Sequence, residues 1–310
     1  MGNHRVRARP HFSSRPVTPR GRGDGNATLA PRSLWRGLPV PPRGGSFRHS
    51  SDPRPWRWTD SPRSSMGAVT MVLVAWLMTG TPGQEASPPG TPGSFVAKTL
   101  TLRGVSYSYS VYLPPHYRPG QVWPVILALH GANSRGTEGT RQRSQRLAAA
   151  VRLYPERYPA LLVLPQCPPG ADWSGDVADF ALQAVDKTLA EYGGDRRRVY
   201  LTGESIGAQG ALRFAARFPE RFAAVVSVSE RSADRSVVER LKGVPLWMWH
   251  GDADKEVPVS ESRAFLELFK AVGNTSVRYT ELPGLGHDIF DTVYLDEAVS
   301  TWLFAQRRSQ

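Results

Sequence analysis

The sequence is poor in cysteine, in long apolar runs and, over its first 65 residues, in lysine and acidic groups. Cys167 is the only cysteine in 310 residues, so no intramolecular disulfide and no cysteine-based metal site can form. It lies in Pro-Gln-Cys-Pro-Pro after a strand-like run, a setting for a structural or loop-lining thiol rather than a nucleophile. The apolar run Ala68 to Met78 has 11 residues, where a bilayer-spanning helix needs about 20. It fits the apolar region of a signal peptide instead. No Lys or Arg separates Met66 from this run and no sharp Ala-x-Ala cleavage site follows; Arg57 and Arg63 supply a basic flank only if the chain starts upstream. The expectation is a secreted or periplasmic protein, cytoplasmic if the segment does not act as a signal, with membrane contact only in transit.

Residues 1–65 hold 13 Arg, no Lys and 3 Asp, a net +10 of the chain's +12, which leaves +2 for residues 66–310. The basic balance therefore belongs to the tail. Its Pro- and Gly-rich composition without periodic apolar residues is that of a disordered segment. Alternatively the tail is an over-extended gene model with Met66 as the true start. A nucleic-acid role would attach to this tail, and none is expected for the folded part. Thr79 to Ser94 is rich in Pro, Gly, Ser and Thr and reads as a linker. The organisation is thus 1–65 tail, 66–94 signal-like segment and linker, and 95–310 one folded domain of ordinary size.

Within that domain, Ala97–Leu102 and Tyr107–Leu113 flank Arg103-Gly104 as a hairpin. Short apolar runs follow at Val122–Leu129, Leu161–Pro165, Val199–Thr202, Ala223–Ser227 and Pro245–Trp249, with a last strand at Val277–Leu282. They lack clean alternation, as strands buried on both faces do. Helical segments are expected over Gln142–Leu153, from Val177 to a stop at Gly193-Gly194, over 206–218, over Ser260–Val272 and around Leu295–Gln306. Alternating strand and helix predicts a mostly parallel, doubly wound α/β sheet with helices on both faces.

The chemistry centres on Gly203-Glu204-Ser205-Ile206-Gly207, which joins a buried strand to a helix. This is the pattern of a nucleophile elbow, a sharp turn that exposes one serine hydroxyl. Gly-x-Ser-x-Gly recurs by chance, so the surrounding chain decides. A serine needs a base, and the base an orienting acid, in the chain order Ser, Asp or Glu, His. Of seven histidines only His250 and His287 follow Ser205. His250 ends an apolar strand and is expected to be tied into it, which leaves His287, in the loop Gly284-Leu285-Gly286-His287-Asp288, as the base. Asp254 is the expected acid. Asp252 fits a turn-bonding role, Glu230 is a weaker substitute, and Asp288 is too local. Oxyanion donors are expected from the backbone N–H of Ile206 and of Ala132 in His130-Gly131-Ala132, with Gly131 as the neighbouring possibility for the second. No cofactor and no metal is implied.

These pieces jointly resemble an α/β-hydrolase of the esterase type related to dienelactone hydrolases, feruloyl esterases and polyhydroxybutyrate depolymerases. The resemblance rests on Tyr112-Leu113-Pro114, Leu129-His130-Gly131, Pro165-Gln166-Cys167-Pro168, the elbow, His250-Gly251-x-x-Asp254 and Gly286-His287, in the family's order across most of 95–310. It implies a serine esterase with Ser205, Asp254 and His287 as nucleophile, acid and base. Two positions depart from the pattern. Ala132 stands where depolymerases and many feruloyl esterases carry Cys, which argues against their specificity, and Ala208 replaces a glycine after the elbow. Only 17 residues, Val228 to Val244, occupy the place of a lipase cap, so the site is expected to be open and suited to esters borne on small molecules, carbohydrates or polymers. Trp173 and Gly131 are expected to contact substrate, and Leu285, Ile289 and Phe290 to wall the base. A serine peptidase and a non-catalytic binding protein on the same scaffold remain the competing readings.

Overall fold

The computed structural model describes residues 90–231 and 235–309; the tail and the signal-like run lie outside them. The strands are β1 (Phe95–Leu102), β2 (Val105–Tyr112), β3 (Trp123–Leu129), β4 (Leu161–Pro165), β5 (Gly194–Glu204), β6 (Ala224–Val228), β7 (Leu246–Gly251) and β8 (Val277–Leu282). They form one sheet in the order β1-β2-β4-β3-β5-β6-β7-β8. The first two run antiparallel, Leu102 facing Val105 across the hairpin, and β2 pairs antiparallel with β4. Arg103 and Gly104 both have positive φ, 50° and 82°, as a tight two-residue turn requires. From β3 to β8 every pairing is parallel.

The helices are α1 (Arg146–Leu153), α2 (Gly175–Tyr192), α3 (Ile206–Arg217), α4 (Arg235–Arg240), α5 (Ser260–Ala271), α6 (Phe290–Leu295) and α7 (Glu297–Ala305). Alternate residues of the central strands feed two cores. Val125, Leu127, Leu129, Val163 and Leu201 pack against α2, α3 and α5. Ile126, Ala128, Leu162, Tyr200 and Val226 pack against α1, α6 and α7. Each fully buried aliphatic side chain contributes roughly 1.5–3 kcal/mol, and the strands are apolar on both faces because helices cover both.

Several boundaries differ from the sequence expectations. The segment 142–153 is not one helix: Arg141–Ser144 is a 3-10 turn and Gln145, at ψ 156°, breaks it from α1. The buried Gln142 amide explains this, since it donates to Gly139 O at 2.9 Å and Ser110 Oγ at 3.3 Å. Strand β5 begins at Gly194 rather than Val199, directly after Gly193 closes α2 in the left-handed region at φ 71°. The last helix starts at Glu297, where the Asp296 carboxylate accepts the Ala298 N–H at 2.9 Å. The six-residue helices α4 and α6 are too short to show a period.

Candidate active site

Five strands, β3 and β5 to β8, deliver their C-terminal ends to one edge of the sheet, and each carries a loop with a polar group. Ser205 sits between β5 and α3 at φ 54°, ψ −116°, a conformation rarely taken by a residue with a Cβ. Its N–H donates to Val228 O at 3.0 Å, which fastens the turn to β6. Both flanking glycines are steric necessities. A Cβ on Gly203 would lie 2.1 Å from Gly207 O, and one on Gly207 would lie 2.0 Å from Leu129 O. Ser205 is half-buried, and Ile206 opens α3, so its N–H has no acceptor within the helix.

The loop after β3 lies against this turn. A Cβ built on Gly131 would stand 3.7 Å from Ser205 Cβ. The hydrogen bonds of His130 fix the loop's peptide planes. Its ring is fully buried, and Nε2 receives the Cys167 N–H at 3.0 Å. A ring nitrogen that accepts is unprotonated, so the proton is on Nδ1, which donates to Gly131 O at 2.7 Å. The Gly131 carbonyl and the Ala132 N–H share one trans peptide, so pinning the carbonyl toward His130 turns the Ala132 N–H the opposite way. Ala132 is exposed and begins a 3-10 turn, which leaves its N–H without an internal acceptor by position.

Burial lowers the His130 pKa to about 4, against the smaller upward pull of the Gly131 hydrogen bond. The unfolded chain, with histidine near 6.5, then binds more protons than the native one. The native state keeps this stability above pH 6.5 and loses it as pH falls toward 4. From this group alone the loss is on the order of 3 kcal/mol. Urea unfolding at pH 7 and pH 5 should show about 2 kcal/mol of this acid destabilisation in the wild type and not in His130→Asn; equal pH slopes would refute it.

Trp173, expected to line the substrate site, is 1% exposed. Its indole Nε1 donates to His130 O at 3.0 Å, and its ring stands edge-on to the imidazole at 5.0 Å. It clamps the β3 loop from beneath and does not face substrate. Gly210 on α3 makes room for it, since a Cβ there would lie 2.4 Å from Trp173 Cβ. Cys167 is likewise buried, and that burial pushes its thiol pKa up.

The remaining groups come from the loops after β6, β7 and β8. Asp254 Oδ2 accepts from His287 Nδ1 at 2.7 Å, so Nε2 of that ring is the nitrogen left with a free lone pair. Asp254 Oδ1 accepts the N–H groups of Glu256 and Val257 at 2.8 and 2.9 Å. Burial raises the Asp254 pKa, but the Val257 N–H, His287 and the Glu256 N–H outweigh it and hold the carboxyl below its ordinary value. His287 is anchored through its backbone, whose carbonyl accepts the Ser229 hydroxyl at 3.1 Å. Val228 therefore holds the Ser205 N–H while the next residue holds His287, which brings nucleophile and base to one place. Among the described residues no hydrogen bond closes between Ser205 and His287, and such bonds commonly tighten only when substrate is bound.

Asp252 bonds the turn, accepting the Gly284 N–H at 2.6 Å. Asp288 is exposed and pairs with Arg146 at 3.2 Å. Of the expected apolar wall, Leu285 is 39% exposed and Phe290 stands edge-on to His287 at 5.7 Å, but Ile289 is buried in the core. Gly251, quoted in the His250-Gly251-x-x-Asp254 piece without a role, has one here: a Cβ there would lie 2.3 Å from Leu285 O, so it admits the His287 loop. Two concavities of about 480 and 500 Å³ open at the other end of the strands, beside residues such as Pro159 and Phe304, and neither includes Ser205 or His287.

A mostly parallel sheet with a strained serine turn between β5 and α3 defines an α/β-hydrolase. The family model for esterases matches residues 103–281, and the chain belongs to that esterase family. Among solved structures it resembles a thermostable esterase at 31% identity and TM-score 0.63, over 69% of this chain and 63% of that one. A ferulic acid esterase shares the fold at 19% identity and TM-score 0.56, over 68% of this chain and 98% of that one. An S-formylglutathione hydrolase from Agrobacterium tumefaciens does so at 16% identity and TM-score 0.53, over 68% and 94%. A 62-residue stretch is 39% identical to Esterase LipC of Mycobacterium tuberculosis, 19% of this chain and 15% of that protein. The chain thus spans less than two thirds of the length of both LipC and the thermostable esterase.

Proposed function

We propose that the protein is a serine hydrolase that cleaves carboxylic esters through an acyl-enzyme. Ser205 Oγ attacks the ester carbonyl while His287 Nε2 takes its proton. The Asp254 carboxylate holds the imidazole with Nδ1–H inward and offsets the charge that develops on the ring. The N–H groups of Ile206 and Ala132 bind the oxyanion. Collapse of the tetrahedral intermediate expels the alcohol, protonated by His287, and leaves the acyl group on Ser205. Water activated by the same nitrogen then releases the acid. The Asp254–His287 hydrogen bond at 2.7 Å, beside a serine held at positive φ, is the observation that carries this reading.

The proposed substrate class rests on the shortness of one segment. Residues 229–245 between β6 and β7 leave room only for a short excursion, and α4 is the helix described there. That geometry suits acyl groups that project from a small alcohol, a carbohydrate or a polymer. The signal-like run supports action outside the cytoplasm. A fluorophosphonate probe should label Ser205, mapped by peptide mass, and the protein should hydrolyse p-nitrophenyl acetate. A folded protein that neither labels nor turns over would instead be a binding protein on this scaffold.

A further inference from the structure

Asp254 has a second imidazole neighbour, which the reaction scheme does not use. His250 is fully buried, and its Nε2 lies 3.0 Å from Asp254 Oδ2 and 2.9 Å from Val257 O. Both are acceptors, so Nε2 must carry a proton. On the other side Nδ1 lies 2.6 Å from Ser262 Oγ. That hydroxyl also contacts Glu230 Oε1, and the other Glu230 oxygen accepts from Ser227 Oγ at 3.2 Å. Glu230, Ser227 and Ser262 are all fully buried.

Ser262 has one proton and two neighbours that need it. If it donates to Glu230, His250 must donate from both nitrogens, and a buried imidazolium then lies one hydroxyl away from a buried carboxylate. If Glu230 keeps a proton, it donates to Ser262, Ser262 donates to Nδ1, and His250 is neutral with its only proton on Nε2. The two arrangements contain the same number of protons. Desolvation favours the second, because it buries no ion besides Asp254.

We propose that protonated Glu230, acting through Ser262, is a positioning residue that fixes the His250 tautomer and thereby gives Asp254 a permanent second donor. With His250 on Oδ2 and two backbone N–H groups on Oδ1, the carboxylate cannot swing away from His287. Burial, outweighing the hydrogen bonds from Ser262, the Glu230 backbone and Ser227, raises the Glu230 pKa to about 7, in keeping with the protonated form. Its location agrees as well: Glu230 sits just after β6, His250 at the end of β7 and Ser262 in the first turn of α5, so one chain of hydrogen bonds ties together the elements beneath the site. This inference rests on the serine-esterase reading for its kinetic consequence but not for its tautomer.

Glu230→Gln tests it, because the Gln amide can donate to Ser262 and its carbonyl can accept from Ser227 as the protonated acid does. Per folded molecule, by circular dichroism, Glu230→Gln should keep kcat on p-nitrophenyl acetate within about threefold, while Glu230→Ala and Ser262→Ala lower kcat about tenfold or more with KM little changed, a loss of orientation. A merely structural role would lower stability in the Ala variants and leave kcat per folded molecule intact, which would overturn the proposal, as would an equal loss in Glu230→Gln. The ring 15N shifts of His250, read in Ser205→Ala at pH 6, give an answer that needs no activity. They should show Nε2 protonated and Nδ1 bare; an imidazolium or an Nδ1–H ring would overturn it. Failure of the wild type to label with fluorophosphonate would sink the esterase reading and leave the tautomer result standing.

Discussion

Ser205→Ala should lower p-nitrophenyl acetate turnover by about four orders of magnitude or more, with wild-type circular dichroism. Alanine retains the Cβ and removes only the attacking oxygen, so the fold keeps every contact described for the turn. Wild-type turnover in this variant would end the assignment. The same position makes a second, opposite statement about stability. Ser205 is held at φ 54°, ψ −116°, and a residue with a Cβ in such a region carries strain of about 1–3 kcal/mol. Glycine relieves it but adds roughly 0.5–1 kcal/mol of backbone entropy to be lost on folding. Ser205→Gly should therefore be more stable than Ser205→Ala by about 1 kcal/mol in urea unfolding, though equally inactive. A Gly variant less stable than the Ala variant would show that the turn is not strained. The comparison separates what the serine does for chemistry from what its position imposes on the fold.

What could be read from sequence was what local pattern encodes. The elbow glycines are spaced along the chain, and their clashes with Gly207 O and Leu129 O are the steric reason for that spacing. The buried parallel strands were visible because both faces are apolar. Asp254 stood apart from Asp252 by its place in the loop alone, and the structure sets Asp254 against His287 and Asp252 against the Gly284 N–H. The role of Trp173 is not legible because an aromatic in a loop near a site reads the same whether it faces substrate or holds the loop from within. Its indole bond to His130 O spans 43 residues. The link from Glu230 through Ser262 to His250 is illegible for the same reason, since 32 and 12 residues separate the partners. A buried polar chain that joins a loop, a strand end and a helix has no period and leaves no short motif.

Glu204 offers the sharpest test of the electrostatics around the nucleophile. It occupies the variable place in the elbow, is 6% exposed, and its Oε1 has no hydrogen-bond partner among the described residues. Burial raises its pKa to about 8, against the downward pull of the Arg146 backbone N–H and guanidinium. The folded pKa thus lies above the unfolded value near 4.5, and the native state binds the extra proton between them. The stability from this group is fully present below pH 4.5 and is lost as pH rises through 8. Integrated to pH 8, the loss is on the order of 4 kcal/mol. Glutamine cannot ionise, so Glu204→Gln should be more stable than wild type by that order at pH 8, with the advantage shrinking toward zero near pH 4. Urea midpoints at the two pH values decide it, and a gain independent of pH would mean the carboxyl is not held neutral. The slope is opposite to that of His130, whose stability is lost toward acid, so the two buried groups flanking the elbow confine its best-ordered state to an intermediate pH range. Catalysis shares that constraint in the proposed mechanism. An ionised Glu204 would add a buried negative charge beneath the turn that holds Ser205 and loosen it, so a fall in wild-type kcat above pH 8 should be absent from Glu204→Gln.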